Sequence, residues 1–274
     1  MVITFIGGGN MAGAMIGGLL KQGWRADAIR VVEVAAAARE RLEREFKVKT
    51  FATVSAAAVK ADCVVLAVKP QQLHEVAVQL GPHLTGQIVL SIAAGIRLKD
   101  LARWLRNQNC VLVRAMPNSP ALIGAGVIGL YSFPPEQMPG AQQRERVEAI
   151  MSAVGAVIWI RSEEDMDAVT AVSGSGPAYV FYFIEALDQA ARDLGLPAET
   201  ARRLALETFA GAARLATASK DPVAVLRERV TSKGGTTERA LNSMEADRVK
   251  EAIVRAVHAA AERSRELGDE LGKD

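Results

Sequence analysis

The spacing of apolar and polar positions divides the chain into two unlike parts. Short apolar, β-branched runs recur at 2–6, 29–34, 48–51, 62–68, 87–92, 110–115 and 156–160, with a less regular one at 122–131 broken by Gly124, Gly126 and Gly129. Between them lie segments with apolar residues every three or four positions: 11–21, an alanine-rich stretch carrying Arg39 and Arg41, a short one from Ser55, then 71–80, 98–105 and 137–154. The first kind reads as strand and the second as helix. The run at 62–68 is hydrophobic almost throughout, as in a strand covered on both faces, which marks a parallel sheet. Strands alternating with helices predict an α/β fold with a doubly wound, mainly parallel sheet that ends at 156–160.

From Ser162 onwards the strand pattern stops. Pro177 stands at the first turn of a helix running through Phe181, Tyr182, Phe183 and Leu187 to about Leu194. Further helices follow from Leu196-Pro197 to about Ser219, from Asp221-Pro222 to Val230, and over 248–267, the last with an apolar stripe at Ala252, Ile253, Ala256, Val257 and Ala260. A boundary near Arg161 is expected, with an all-helical C-terminal domain at 162–274 after a sheet domain at 1–161.

The turn after the first strand, Gly7-Gly8-Gly9-Asn10-Met11-Ala12, matches the Rossmann-like dinucleotide fingerprint Gly-x-Gly-x-x-Ala. One glycine makes the turn, one admits the pyrophosphate to the backbone, and a small third residue lets helix and strand pack. Ligands in such sheets lie beyond the carboxyl ends of the strands, so Gly8, Asn10, Met11, the quartet Ala67-Val68-Lys69-Pro70, the turn Ala93-Ala94-Gly95 and the segment Met116–Ser119 with Asn118 are expected at one crevice. Glu33 ends the second strand, where an acidic side chain accepts the ribose hydroxyls of NAD. It would repel a 2′-phosphate, although Arg39 and Arg41 follow on the next helix, so NADPH or NADH both stay open.

Composition narrows the classes. Half of the 274 residues are hydrophobic, enough for two modest cores, and the net charge of +2 is spread without a basic block, which argues against a nucleic-acid partner. Cys63 and Cys110 sit inside apolar runs as small buried hydrophobes, a usage that suits a reducing, cytoplasmic setting. Uncharged stretches are interrupted by Pro, Gly, Ser and Asn, so no membrane span is expected. His74, His83 and His258 stand apart without a second ligand at metal spacing, so no metal is expected.

The run Thr231-Ser232-Lys233-Gly234-Gly235-Thr236-Thr237-Glu238 lies ahead of an amphipathic segment at 239–245 and reads as a turn opening a helix. Unpaired amides and the helix dipole favour an anion there, two glycines permit close approach, and three hydroxyls stand ready. This run, with Ala240-Leu241 and Met244-Glu245 after it, closely resembles the signature of the pyrroline-5-carboxylate reductases.

The resemblance implies NAD(P)H-dependent reduction of 1-pyrroline-5-carboxylate to L-proline. It places Ser232, Gly234, Gly235, Thr236 and Thr237 on the substrate carboxylate, with the Thr237 hydroxyl at the ring nitrogen as the catalytic group. It also places Lys69 and its neighbours along the cofactor, Asn118 at the nicotinamide and its ribose, and Ser175, within Ser173-Gly174-Ser175-Gly176-Pro177, near the substrate pocket. Helical domains of two subunits interlock in that family, so a homodimer is expected at least, with a larger ring of dimers left open. The competing readings are a 2- or 3-hydroxyacid dehydrogenase of similar two-domain build, which would need a lysine or histidine base, and a non-catalytic dinucleotide-binding protein.

Overall fold

The apolar runs of the first half pair into one sheet with a core on each face. The computed structural model describes residues 1–133 and 140–273. Its strands are β1 (Ile3–Ile6), β2 (Ile29–Val32), β3 (Lys49–Phe51), β4 (Cys63–Leu66), β5 (Ile88–Ser91), β6 (Val111–Met116), β7 (Gly126–Phe133) and β8 (Gly155–Trp159). They lie in the order β3-β2-β1-β4-β5-β6-β7-β8. Every neighbouring pair is parallel except β6 and β7. The connection between those two, 117–125, is too short for a crossover helix, so the chain doubles back.

Side chains alternate across each strand. Ile3, Phe5, Cys63, Val65 and Leu90 point to one face, where they meet Met15 and Leu19 of α1 (Asn10–Lys21), Leu42 of α2 (Ala36–Phe46) and Ile150 of α5 (Ala141–Met151). Val64, Leu66, Val89 and Leu112 point to the other, against Leu73 and Leu80 of α3 (Pro70–Leu80) and Leu101 and Trp104 of α4 (Leu98–Leu105). Burying each large aliphatic side chain stabilises by roughly 1.5–3 kcal/mol. Two covered faces make the expected doubly wound α/β architecture, and the order around β1 and β4 places the reversal of connection where β1 meets the glycine turn.

Three expectations are corrected, and a fourth falls outside the described residues. The stretch from Ser55 is a series of turns rather than a helix. Thr4 donates its hydroxyl to the Ala58 carbonyl at 2.7 Å, and the Arg30 guanidinium donates to the carbonyls of Ala57 at 3.1 Å and Lys60 at 2.6 Å. Those carbonyls are drawn out of a helical ladder. The irregular run at 122–131 splits into a 3-10 turn, Ser119–Ile123, and the regular strand β7. The expected helix start at Gln137 lies outside the described residues, and α5 is seen from Ala141. The last helix, α11 (Val249–Leu271), continues past Leu267.

After β8 come α6 (Asp165–Val169), a π-helical turn (Thr170–Gly174), α7 (Gly176–Asp193), α8 (Ala198–Ala218), α9 (Val223–Arg229), α10 (Thr236–Ala246) and α11. The chain folds as two compact units, Met1–Ser175 with Ala260–Asp274, and Gly176–Ala259. Within the first unit the end of α11 packs against the start of α4 and against α6: Arg97 meets Asp269 at 2.6 Å and Ser264 donates to Asp167 at 2.7 Å. Within the second, α7 packs on α8, yet only Ala201 and Ala205 of α8 are buried. Phe181, Tyr182, Leu204 and Leu215 stay more than half exposed. An apolar face of that extent marks an interaction surface.

Candidate active site

β1 delivers the chain into the glycine turn, and the backbone there admits no side chain at its first position. Gly7 has φ +100°, donates its N–H to the Val32 carbonyl at 2.8 Å, and would place a Cβ 2.8 Å from the Ala67 carbonyl oxygen. Gly9 differs: it caps α1 with an extended backbone and no side-chain cap, and nothing lies within 4 Å of a Cβ built on it. Gly9 and Asn10 are exposed, and the first amides of α1, including those of Asn10 and Met11, have no acceptor within the helix. A helix N-terminus behind an open glycine is a cradle of the size and polarity that a dinucleotide pyrophosphate fills. A cleft of about 550 Å³, lined by Gly9, Asn10, Gly13, Arg41, Leu122 and Ile123, opens beside it.

The other strand ends meet the same edge of the sheet. Ala67 donates its N–H to the Ile6 carbonyl at 2.8 Å, which sets the turn after β4 beside the glycine turn. Lys69 is exposed and caps α3 ahead of Pro70, with half-buried Val68 before it. After β5, Ala93 is buried and Ala94 exposed, while Gly95 turns with φ +72° and packs against Leu267 and Leu271. Glu33, just past β2, reaches back to the turn, where its carboxylate accepts the Gly8 N–H.

Asn118 is a buried brace. Its carboxamide accepts the Val127 N–H at 3.0 Å and donates to the Ser173 carbonyl at 3.1 Å, tying the loop after β6 to β7 and to the π-turn. Asn118→Ala is expected to cost about 1–3 kcal/mol, because both backbone groups lose their partner. Chemical denaturation measures it. The π-turn is held by the Ser175 N–H on the Thr170 carbonyl at 2.8 Å, and Gly174 lies so close to Met116 that a Cβ would come within 2.7 Å of its Cε. Sequence reasoning expected a plain helix start here. A one-residue expansion of the ladder carries no periodic signal.

In the helical unit, α10 begins at Thr236 with Gly235 as its cap, again without a side-chain cap. Gly234 takes φ +74°, and Gly235 folds so tightly over Ser232 that a Cβ would meet its main-chain carbonyl at 3.0 Å. The Gly235 N–H donates to that Ser232 carbonyl at 3.0 Å, and the Gly234 N–H donates to the Glu238 carboxylate at 2.7 Å. Thr236 and Thr237, as the first two residues of the helix, present amides without intrahelical acceptors. Glu238 was not singled out from the sequence: an acidic residue in a first turn is common, and its bond to Gly234 depends on the turn's final shape. The Ser232 and Thr236 side chains are exposed and Thr237 is half-buried.

Both cysteines are buried, and burial pushes the Cys63 thiol up to about 12, with Asp62 adding to the shift, so it is protonated and inert as a nucleophile. Among the described residues no group of three or more His, Cys, Asp or Glu could hold a metal ion, and no helix is long and apolar enough to cross a membrane.

Residues 163–267 match the family model described as pyrroline-5-carboxylate reductase dimerisation, and residues 2–95 match that described as NADP oxidoreductase coenzyme F420-dependent. The chain is 44% identical to pyrroline-5-carboxylate reductase of Pseudomonas aeruginosa over 272 residues, covering 99% of this chain and 98% of that protein. The chain belongs to the pyrroline-5-carboxylate reductase family. The solved pyrroline-5-carboxylate reductase of Coxiella burnetii has the same fold, with a TM-score of 0.91, 40% identity and 97% of each chain covered. That of Plasmodium falciparum, solved with NADP bound, has a TM-score of 0.85 at 28% identity, with 98% of each chain covered. Members of this reductase family are oxidoreductases using a nicotinamide dinucleotide, and neither the hydroxyacid dehydrogenase nor the non-catalytic reading is favoured.

Proposed function

We propose that the chain reduces the C=N bond of 1-pyrroline-5-carboxylate to give L-proline, the last step of proline biosynthesis, with NADPH or NADH as reductant. What carries this reading is 44% identity to the Pseudomonas aeruginosa reductase across nearly the whole chain, together with Ser232, Gly234, Gly235, Thr236 and Thr237 at a helix start without a side-chain cap.

On this reading residues 1–161 bind the dinucleotide and 162–274 bind substrate and pair subunits. When bound, the reduced nicotinamide supplies the hydride. Gly9, Asn10 and Met11 cradle the pyrophosphate while Gly7 and Gly8, whose N–H groups are engaged by Val32 and Glu33, shape the turn; Glu33 takes the ribose, Ala67, Val68, Lys69, Pro70, Ala93, Ala94 and Gly95 line the cofactor, and Asn118 fixes the loop at its nicotinamide end. The substrate carboxylate docks on the amides of Thr236 and Thr237 with the Ser232 hydroxyl. Gly235 shapes that turn while its own N–H is engaged by Ser232, and Gly234 supplies the left-handed bend. Each contact of an anion with a helix start contributes about 0.3–1 kcal/mol, so several must act together. The Thr237 hydroxyl hydrogen-bonds the ring nitrogen and orients the ring; an unperturbed threonine is too weak an acid to drive the reaction by proton donation. Ser175 supports the pocket from the π-turn. The half-exposed apolar side chains of α7 and α8 support a homodimer, with a ring of dimers as its higher assembly. Two free buried thiols support a cytoplasmic location.

Loss of nicotinamide absorbance tests the reading. Oxidation of NADH or NADPH is expected with pyrroline-5-carboxylate and absent with 2-oxo and 3-oxo acids; the reverse preference would sink it. Sedimentation of the same sample, expected at the mass of a dimer or its multiple, tests the assembly.

A further inference from the structure

We propose that this chain selects NADH over NADPH through a carboxylate locked in place by main-chain amides, an inference that rests on the dinucleotide role assigned above. Glu33 is not a free side chain at the end of β2. One carboxylate oxygen accepts the Gly8 N–H at 2.9 Å and the other accepts the Ala35 N–H at 2.9 Å. Gly8 is buried, so swinging Glu33 away would strip its amide of this acceptor. Gly8 also cannot yield space: a Cβ there would lie 2.5 Å from Leu42 Cδ1 and 3.4 Å from the Glu33 oxygen.

The charge is therefore fixed beside the glycine turn, at the strand end where an acidic residue reads the ribose. Each carboxylate oxygen can accept a second hydrogen bond, and ribose hydroxyls are donors. A 2′-phosphate at neutral pH is mainly an acceptor, and it would meet a second anion at close range.

Two arginines on α2 are near enough in sequence to offset that repulsion, and both are turned to the main chain. The Arg39 guanidinium donates to the carbonyls of Glu33 and Val34, each at 2.8 Å, and Arg41 donates to the Gly8 carbonyl at 3.1 Å. The Gly8 residue is thus held from both sides, its N–H by Glu33 and its carbonyl by Arg41. The same contacts that stiffen the cradle hold the guanidinium groups on backbone oxygens. Ribose recognition and turn rigidity share one set of side chains.

Dissociation constants for NADH and NADPH, read from nicotinamide fluorescence without substrate, test the proposal on the full-length protein. Wild type is expected to bind NADH tighter by about tenfold or more, and the difference to narrow as salt is raised. Glu33→Gln, which keeps the length and an acceptor but removes the charge, should bring the two constants together, and Glu33→Ser should favour NADPH. A merely structural Glu33 would weaken both nucleotides alike and leave their ratio and its salt dependence unchanged. That result, or wild-type affinity for NADPH equal to or above that for NADH, would overturn the proposal. Because no pyrroline substrate is present, the outcome is independent of whether the chain reduces it.

Discussion

Thr237→Ala is expected to lower turnover of pyrroline-5-carboxylate by about 100-fold while leaving the dissociation constant for reduced dinucleotide unchanged. The separation follows from position. Thr237 is the second residue of α10, a half-buried hydroxyl in the helical unit, whereas the glycine turn and Glu33 lie in the sheet unit. The methyl and hydroxyl of threonine are not needed for α10 to start, because Gly235 is its cap and Glu238 holds the turn through Gly234. On the role proposed for Thr237, what alanine removes is one donor or acceptor at the reacting ring. A single preorganised polar group at a reacting centre is commonly worth about 2.7–4 kcal/mol of barrier, or a hundredfold to a thousandfold in rate. Thr237→Ser restores the hydroxyl and should recover most of the turnover. Steady-state kinetics with saturating dinucleotide, set beside binding by fluorescence, provide the check. An alanine variant with wild-type turnover would remove Thr237 from the reaction, and one that loses dinucleotide binding would contradict the separation of the two roles.

The reach of sequence reasoning is visible at particular residues. The strands were legible because burial on both faces leaves unbroken runs such as Cys63–Leu66, and the glycine turn because its position between strand and helix restricts what it can be. Ser55 to Val59 misled because alanines favour a helix, whereas the bonds that hold this segment open come from Thr4 and Arg30, more than 25 positions away. Local propensity cannot register such partners. Arg114 is a further case: a charge inside an apolar run, buried in the sheet, with Glu163 at 3.2 Å supplying the counter-charge after β8. Burial lowers the Arg114 pKa, and the carboxylate opposes that shift. In the candidate site, Glu33 was legible from its place at a strand end, yet its bonds to Gly8 and Ala35 emerge only from the folded turn. Glu238 and the bracing role of Asn118 likewise depend on distances that no spacing along the chain encodes.

The glycine turn allows structure and binding to be separated by two single-methyl changes. Gly7→Ala is expected to cost about 2–4 kcal/mol of stability and to weaken dinucleotide binding by about tenfold or more, because strain and collision coincide there. The backbone at Gly7 has φ +100°, which an L-residue rarely adopts, and the added Cβ falls 2.8 Å from the Ala67 carbonyl oxygen, 2.9 Å from its carbon and 3.0 Å from the Val68 nitrogen. All three atoms are main chain at the exit of β4, where the Ala67 N–H is bonded to Ile6, so no side-chain rotation relieves the clash. Relief requires β1 and β4 to part at the edge where the dinucleotide is proposed to bind. Gly9→Ala meets none of this: φ is −69° and nothing lies within 4 Å of the new carbon. Its stability should stay within about 1 kcal/mol of wild type, the usual cost of alanine at a helix cap. Binding should still fall, since the methyl occupies the open approach to the first amides of α1. Denaturant midpoints and fluorescence titrations on the two variants separate the effects. Equal stability for Gly7→Ala and wild type would contradict the close fit between β1 and β4, and wild-type affinity in Gly9→Ala would mean that the pyrophosphate does not lie on the start of α1.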